Sequence, residues 1–538
     1  MGKHADFRVC LSAYHNEVTG SRLLLVISFP DGREYRILID CGYFQEVKYR
    51  YLNYVDDLDP TTIDAILVTH NHIDHTGLIP KLVKQGYRKP IYMTEYTQRL
   101  IGRFLMNSAD QQEDNAKYLR KKYPGDEWKF NALYHYEDVG KTIALCKGVK
   151  FQKTIEILPG VKVTFFINGH ILGAGMILVQ CFYNSRKPIN ILFTGDYKLR
   201  NPFFKVPPLP EWLRKMDLIM VHEATYGATT SEDIKVCFRQ NLLEAFKRKQ
   251  DVLIGGFAQG RFQEVLYDLR QLEDENLIPD YYEIWMDGPL GISTTFEYID
   301  ILKEFNPEAS DFLPKRIRIV DPQSREKILY SGVPKIIVTT SGMLSNGPAR
   351  KYVPVFLQRE RALIHLIGYA AEETLARTLL DSKRADVVTI GNKIYPKIAV
   401  VKTTREKTSH VTLDDGLEFI NQFENIEFIG INHGEKSVEE SFAGEIVQNC
   451  PNVKNVGILD RDNMYCIYQF GRQGDDFSNI VVKKMPAKLQ VAPPNESQIK
   501  KKQRENSKQK KMAKKEKRRQ QKNERKRVSR KKGKSKRK

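Results

Sequence analysis

Thr69-His70-Asn71-His72-Ile73-Asp74-His75-Thr76-Gly77 packs three imidazoles and a carboxylate into six positions of a chain that holds 11 histidines among 538 residues. The β-branched run Ala65 to Thr69 leads into it and a helical pattern follows, so the stretch reads as a strand, a turn and the start of a helix. Alternate residues of an extended segment point the same way. His70 and His72 can therefore share one metal ion while Asp74 and His75, at the turn, face a second. The bland alternative, a solvated cluster of polar residues, asks a scarce residue type to crowd by chance.

Such a centre needs ligands from elsewhere, each expected where a strand ends and side chains converge on one edge. His170 ends the run Val161 to Gly169 in Asn168-Gly169-His170-Ile171-Leu172-Gly173-Ala174-Gly175, whose glycines let backbone approach closely. Asp196 ends Ile191-Leu192-Phe193-Thr194-Gly195-Asp196. His433 ends Phe428-Ile429-Gly430-Ile431-Asn432-His433. Each alone divides evenly between a ligand and a structural residue. With the first cluster they make five His and two Asp, enough for two zinc ions sharing one carboxylate.

The same alternation extends along most of the chain. Strands are expected at Tyr35 to Asp40, Ala65 to Thr69, Val161 to Asn168, Ile189 to Asp196, Leu218 to Thr225, Val252 to Phe257, Ile336 to Thr340, Ile398 to Val401 and Ile426 to Asn432. Helices are expected at Thr97 to Lys122, Ile234 to Arg248 and Leu413 to Phe423. The fold class is α/β with layered sheets, and the length gives a prior of about three domains. No repeat at solenoid periods is present.

The formal charge of +20 belongs to one end. Residues 500–538 carry 23 Lys/Arg against 3 Asp/Glu, so residues 1–499 balance at 63 of each sign. A strongly basic folded body is excluded. After Val491 apolar residues almost vanish, and a segment that cannot bury enough surface to offset its ordering entropy is expected to be disordered. No apolar run approaches the roughly 18 residues of a membrane span, so no membrane partner is expected. The seven cysteines are odd in number and scattered without a C-x-x-C pair, which argues against a disulfide framework or a thiolate zinc site and favours a reducing, cytoplasmic setting, nuclear if the source is eukaryotic.

These motifs together resemble the metallo-β-lactamase fold, and within it the β-CASP branch of nucleic-acid-processing nucleases, from about Leu11 to about Asp460. Glu17-Val18-Thr19-Gly20-Ser21 with Ile39-Asp40-Cys41-Gly42 resembles the family's first motif. His70, His72, Asp74 and His75 match the second, His170 the third and Asp196 the fourth. Glu223 in Glu223-Ala224-Thr225-Tyr226-Gly227 matches motif A, His410 in Thr408-Ser409-His410 motif B, and His433 motif C, where RNA-acting branches carry histidine. Gly256 to Glu264, Asp287-Gly288-Pro289, Thr340 to Gly347 and Gly368-Tyr369-Ala370 match supporting segments of the inserted domain. The pattern departs at Thr412, where an acidic residue is usual, and at Glu373, where glycine is usual. The relatives it resembles are the catalytic subunit of the cleavage and polyadenylation specificity factor and its bacterial counterparts.

The resemblance implies an αββα sandwich over residues 1–224 and 398–485, an inserted α/β β-CASP domain over 225–397, and a disordered polybasic tail over 486–538. It implies one zinc on His70, His72 and His170, another on Asp74, His75 and His433, and Asp196 between them, with Asp74 also catalytic. His410 is then the general acid for the leaving oxygen, oriented by Glu223. The function implied is hydrolysis of single-stranded RNA, and the charge of the tail by itself leads us to expect that it touches polyanion, RNA or ribosome. A homodimer is left open. Two other classes stand beside this one: a small-ester or thioester metallo-hydrolase, against which the insertion and tail argue, and a non-catalytic RNA-binding scaffold, against which the complete ligand set argues. His15, His135, His222 and His365 read as structural. Arg261 and the amides of Gly255, Gly256 and Gly260 are weak candidates for phosphate contacts.

Overall fold

The computed structural model describes residues 7–15, 17–123, 131–184, 187–234, 236–344, 346–368, 370, 374–461, 463–469 and 480–484. The expected polybasic tail lies outside them, as do Ser345, Tyr369 and Glu373 of the motifs above.

Among these residues the first sheet has eight strands, in the spatial order Ile480–Lys484, Asn463–Gln469, Phe7–Ala13, Leu23–Ser28, Glu34–Ile39, Ala65–Leu67, Ile91–Thr94 and Cys146–Val149. The second has seven: Val456–Ile458, Asn425–Asn432, Asp217–Glu223, Ile189–Phe193, Gly175–Cys181, Val161–Ile167 and Ile155–Leu158. Strand side chains alternate between faces, and the buried sets follow that period. Val9, Leu11, Leu25, Ile27, Ile37 and Ile39 of one sheet share a core with Val163, Phe165, Ile177, Val179, Ile191 and Phe193 of the other. The outward residues Leu24, Val26 and Leu38 pack on Ile101 and Leu105 of the helix Glu95–Lys122. On the far side Leu192, Met220 and Ile429 pack on Phe419 of Leu413–Ile420 and Phe442 of Lys436–Asn449. The layers are therefore helix, sheet, sheet, helix: an αββα sandwich.

A third sheet of six strands, parallel throughout, is inserted between Glu223 and the return strand Asn425–Asn432, in the order Ile317–Ile319, Glu283–Asp287, Lys335–Thr339, Asp251–Gly255, Ala362–Ile367 and Val400–Thr404. Both its faces are covered, which is why its strands read as continuous apolar runs. Val400–Thr404 pairs with Ala362–Ile367, so the inserted sheet runs past the expected boundary at residue 397.

The inserted lobe rests on the loop that carries His170. Tyr298 Oη accepts from the Leu172 amide at 3.2 Å, and Gln259 Nε2 donates to the Leu172 carbonyl at 3.3 Å. Arg99 and Arg103 of the long helix reach Glu297 and Glu304 on the insertion at 2.6–3.0 Å. Among the described residues no helix is long and apolar enough to cross a membrane.

One pairing departs from the cysteine expectation. Cys10 and Cys466 stand opposite each other on antiparallel neighbours and form a disulfide across a sequence separation of 456. Spacing along the chain carries no sign of a partner that only the closing of the first sheet supplies.

Candidate metal centre

Strands end where the polar chemistry begins. His70 lies three residues past Ala65–Leu67, His170 three past Val161–Ile167, Asp196 three past Ile189–Phe193, and His433 directly after Asn425–Asn432. Asp74 and His75 sit on the single helical turn Ile73–Thr76. Close approach of these loops requires glycine at two places. Gly195, at φ +55°, would put a Cβ 2.8 Å from Thr69 Cβ, and Gly169, at φ +77°, one 2.2 Å from the Lys198 carbonyl oxygen.

The seven expected ligands are brought together in two groups. Ligand atoms of His70, His72, His170 and Asp196 all lie within 4.8 Å of one another, as do those of Asp74, His75 and His433. Asp196 Oδ2 is 3.6 Å from His70 Nε2, 3.7 Å from His170 Nε2 and 3.2 Å from His75 Nε2, while its Oδ1 is 3.6 Å from His433 Nε2. It stands between the groups, as a shared carboxylate must.

Hydrogen bonds decide which ring nitrogens keep a lone pair. His170 Nδ1 donates to the Ser409 carbonyl at 2.9 Å, so its Nε2 keeps the lone pair, which faces His72 Nδ1 at 3.1 Å. His75 Nδ1 donates to Asp40 Oδ2 at 2.8 Å, with the same result. Thr225 Oγ1 gives its proton to the His433 carbonyl and so accepts from His433 Nδ1 at 3.0 Å. Thr69 Oγ1 likewise donates to Asp40 Oδ2 and accepts from His70 Nδ1 at 3.1 Å. The bare nitrogens of His75 and His433 then face each other at 3.1 Å, which is repulsive unless a cation lies between or beside them. His70 Nε2, His72 Nε2 and Asp196 Oδ1 are buried without a hydrogen-bond partner. Orphaned lone pairs of this kind, all imidazole and carboxylate, fit a pair of divalent metal ions.

The electrostatics agree. Burial and the neighbouring imidazoles hold His70 well below its ordinary 6.5, and burial takes His72 to about 4. Burial also holds His170 well below 6.5, so these rings stay neutral and able to ligate. Burial works against the charged form of His75 too, yet Asp196 and Asp40 outweigh it and raise that ring well above 6.5. The carboxylates thus call for positive charge, which a metal ion meets as well as a proton does.

Beside this set, His410 Nδ1 donates to Glu223 Oε2 at 2.9 Å and lies 4.0 Å from Asp196 Oδ2. Burial lowers the affinity of His410 for a proton, but Glu223 and Asp196 outweigh it and hold the ring above 6.5. Glu223 is itself fixed by the Tyr197 amide, which donates to Oε1 at 2.9 Å. With Nδ1 committed to Glu223, Nε2 is the nitrogen left to move a proton.

Four residues at the centre were not assigned roles from sequence: Asp40, Thr69, Thr225 and Ser409. Asp40 takes the Thr69 amide at 2.8 Å, the Thr69 hydroxyl at 2.7 Å and His75 Nδ1. Its presence in Ile39-Asp40-Cys41-Gly42 is the one signal that could have found it. Thr225 and Ser409 act through distant partners that no local pattern marks. Arg261 and the amides of Gly256 and Gly260, weak candidates for phosphate contacts, are already occupied within the protein. Arg261 is buried, ion-paired with Glu264 at 3.0 Å and bonded to Ser409 Oγ. The Gly256 and Gly260 amides already donate to the Thr339 carbonyl and Gln263 Oε1. Among the residues read as structural, His222 is buried against Tyr197 Oη at 2.7 Å, and His365 against Asn241 Nδ2 at 3.1 Å.

Residues 24–218 match the model of the metallo-beta-lactamase superfamily, and residues 262–379 that of the Beta-Casp domain. The transcription termination factor FttA of Methanosarcina mazei is 31% identical over 376 residues, covering 66% of this chain and 55% of its own. The endoribonuclease YSH1 of Kluyveromyces lactis is 27% identical over 430 residues, 75% of this chain and 53% of that one. The ribonuclease TTHA0252 of Thermus thermophilus is 27% identical over 432 residues, 78% of this chain and 91% of that one. The chain thus spans about half the length of the first two of these relatives.

Proposed function

This chain belongs to the β-CASP branch of the metallo-β-lactamase superfamily, and from that premise we propose that it is a zinc-dependent ribonuclease that hydrolyses phosphodiester bonds of single-stranded RNA. The observation that carries the reading is the His410–Glu223 pair beside two groups of bare imidazole nitrogens that share Asp196. His70, His72 and His170 would hold one zinc ion, Asp74, His75 and His433 the other, with Asp196 common to both. Bound there, zinc would supply Lewis acidity, lowering the pKa of water and offsetting the charge of a phosphodiester under attack.

The chain's own groups do the rest. Asp40, Thr69, Thr225 and Ser409 hold four imidazoles with their ligating nitrogens inward. His410, charged more readily than an ordinary histidine, protonates the departing oxygen through Nε2, because an alkoxide leaves poorly. Glu223 keeps that ring aimed. Hydrolysis by this route leaves a 5′-phosphate and a free 3′-hydroxyl. RNA is favoured as substrate because related chains are named ribonucleases and because His433 stands at the motif C position.

The test uses the full chain with end-labelled single-stranded RNA, single-stranded DNA and a generic ester, each with and without chelator, together with elemental analysis after gel filtration. About two zinc ions per chain and chelator-sensitive cleavage of RNA are expected. Ester turnover with RNA left intact, or one ion or none in fresh protein, overturns the reading.

A further inference from the structure

From Gly42 the chain leaves the strand Glu34–Ile39 at the metal edge and enters a 3-10 helix, Val47–Tyr54, with the sequence Val47-Lys48-Tyr49-Arg50-Tyr51-Leu52-Asn53-Tyr54. A 3-10 helix repeats every three residues, so Lys48, Tyr51 and Tyr54 share one face. That face is open to solvent: Tyr51 is 42% and Tyr54 57% exposed, and Lys48 is exposed as well, while Leu52 and Asn53 turn inward. One turn separates the two tyrosines, roughly 6 Å along the axis. A base held between two rings needs about twice the stacking distance of roughly 3.4 Å, which is close to that separation.

The strip is built rigidly. Asn53, fully buried, accepts from the Phe44 amide at 2.8 Å and donates to the Phe44 carbonyl at 2.9 Å. Lys81 Nζ donates to the Asn53 and Val55 carbonyls at 3.0 and 2.9 Å and pairs with Asp56. The strip is also tied to the metal edge. The Cys41 amide donates to the His75 carbonyl at 2.7 Å and the Tyr43 amide to the Ile73 carbonyl at 2.9 Å.

Of the carboxylates nearby, Asp56 is paired with Lys81 and Asp57 with Arg22, while Glu46 accepts from the Thr19 hydroxyl. Lys48 and Arg50 join no ion pair among the described residues; Lys48 lies over the Tyr49 ring at 4.7 Å, and Arg50 Nε donates to the Gln45 carbonyl. Exposed rings in step with unpaired cations, beside a phosphodiester-cutting centre, match the base faces and phosphates of a single strand, whereas a duplex hides its base faces.

Resting on the ribonuclease reading above, we propose that this segment is a base-stacking subsite that grips the RNA strand beside the scissile bond, with Tyr51 and Tyr54 on a base and Lys48 and Arg50 on its phosphates. Preorganisation by Asn53 and Lys81 limits the ordering cost on binding.

The experiment compares wild type with Tyr51→Ala/Tyr54→Ala, Tyr51→Phe/Tyr54→Phe and Lys48→Ala/Arg50→Ala on a single-stranded RNA carrying 2-aminopurine. The alanine pair should raise KM about 5- to 100-fold and abolish quenching of the 2-aminopurine on binding. The phenylalanine pair, which keeps both rings, should restore each. The Lys48/Arg50 variant should flatten the dependence of log Kd on log salt by about 0.7 for each phosphate no longer neutralised. An alanine pair with wild-type KM and quenching overturns the subsite while leaving the ribonuclease reading intact. Wild-type protein that turns over bis(4-nitrophenyl) phosphate but neither binds nor cuts the RNA overturns both.

Discussion

His410 Nδ1 lies 2.9 Å from Glu223 Oε2 although 187 residues separate them, an entire inserted sheet among those. The pair closes the insertion back onto the sandwich. It also sets His410, the proposed general acid, beside Asp196 without giving it a place among the ligand groups.

His410→Ala should therefore lose RNA cleavage by about 10²- to 10⁴-fold, the usual worth of a general acid, and keep its zinc. Glu223→Gln, which leaves the acid but removes its orienting carboxylate, should lose less. Asp196→Ala should lose both metal and cleavage. Elemental analysis alongside initial rates separates the three. A His410→Ala protein that cuts RNA at the wild-type rate rules out this division of roles.

Asp40 bonds one expected ligand, His75, directly and reaches a second, His70, through the Thr69 hydroxyl. Groups that orient ligating imidazoles typically contribute 10- to 100-fold in metal affinity. Asp40→Ala should weaken zinc retention by about that much in competition with a fluorescent chelator. Unchanged affinity would show that Asp40 serves the fold alone.

His365 offers a pH test far from the metal centre. Burial depresses its pKa to about 4 from 6.5, and its Nε2 accepts from Asn241 Nδ2, a bond the charged ring cannot accept. The folded state then binds fewer protons than the unfolded one between those values. The stability this gives is complete above pH 6.5 and is lost as pH falls toward 4, with a ceiling of about 3 kcal/mol. His365→Gln should start less stable at pH 7.5, and its deficit in Tm against wild type should shrink at pH 5. A deficit that stays constant across that range contradicts the linkage.

The tail calls for a binding test. We propose that its 23 cationic residues, in 500–538, serve as an arm that holds polyanion without reading sequence. Removing everything after Ile499 should weaken RNA binding and flatten its salt dependence, while zinc content and cleavage of a short saturating RNA hold. Equal salt slopes for the two proteins would exclude contact between arm and RNA.

How much of this was legible beforehand depends on the distance over which each signal acts. Histidines at 70, 72 and 75 announce a metal site because two-residue alternation and a single helical turn aim side chains locally, whatever the rest of the chain does. The apolar runs at Ile189 and Ile336 marked strands for the same reason, and the +20 charge was separable by counting alone. Tertiary structure decided what depends on strand order. Ser409 finds His170 across 239 residues, and Thr225 finds His433 across 208. Cys10 meets Cys466 because Phe7–Ala13 and Asn463–Gln469 are neighbours in one sheet. Val400–Thr404 joins the inserted sheet past the boundary that the family resemblance suggested, and Arg261 spends its charge on Glu264 inside the lobe contact. Periodicity and propensity describe the few residues around a position. Which nitrogen is left bare, and which charge is already paired, is settled by partners that only the closing of the sheets brings within hydrogen-bonding distance.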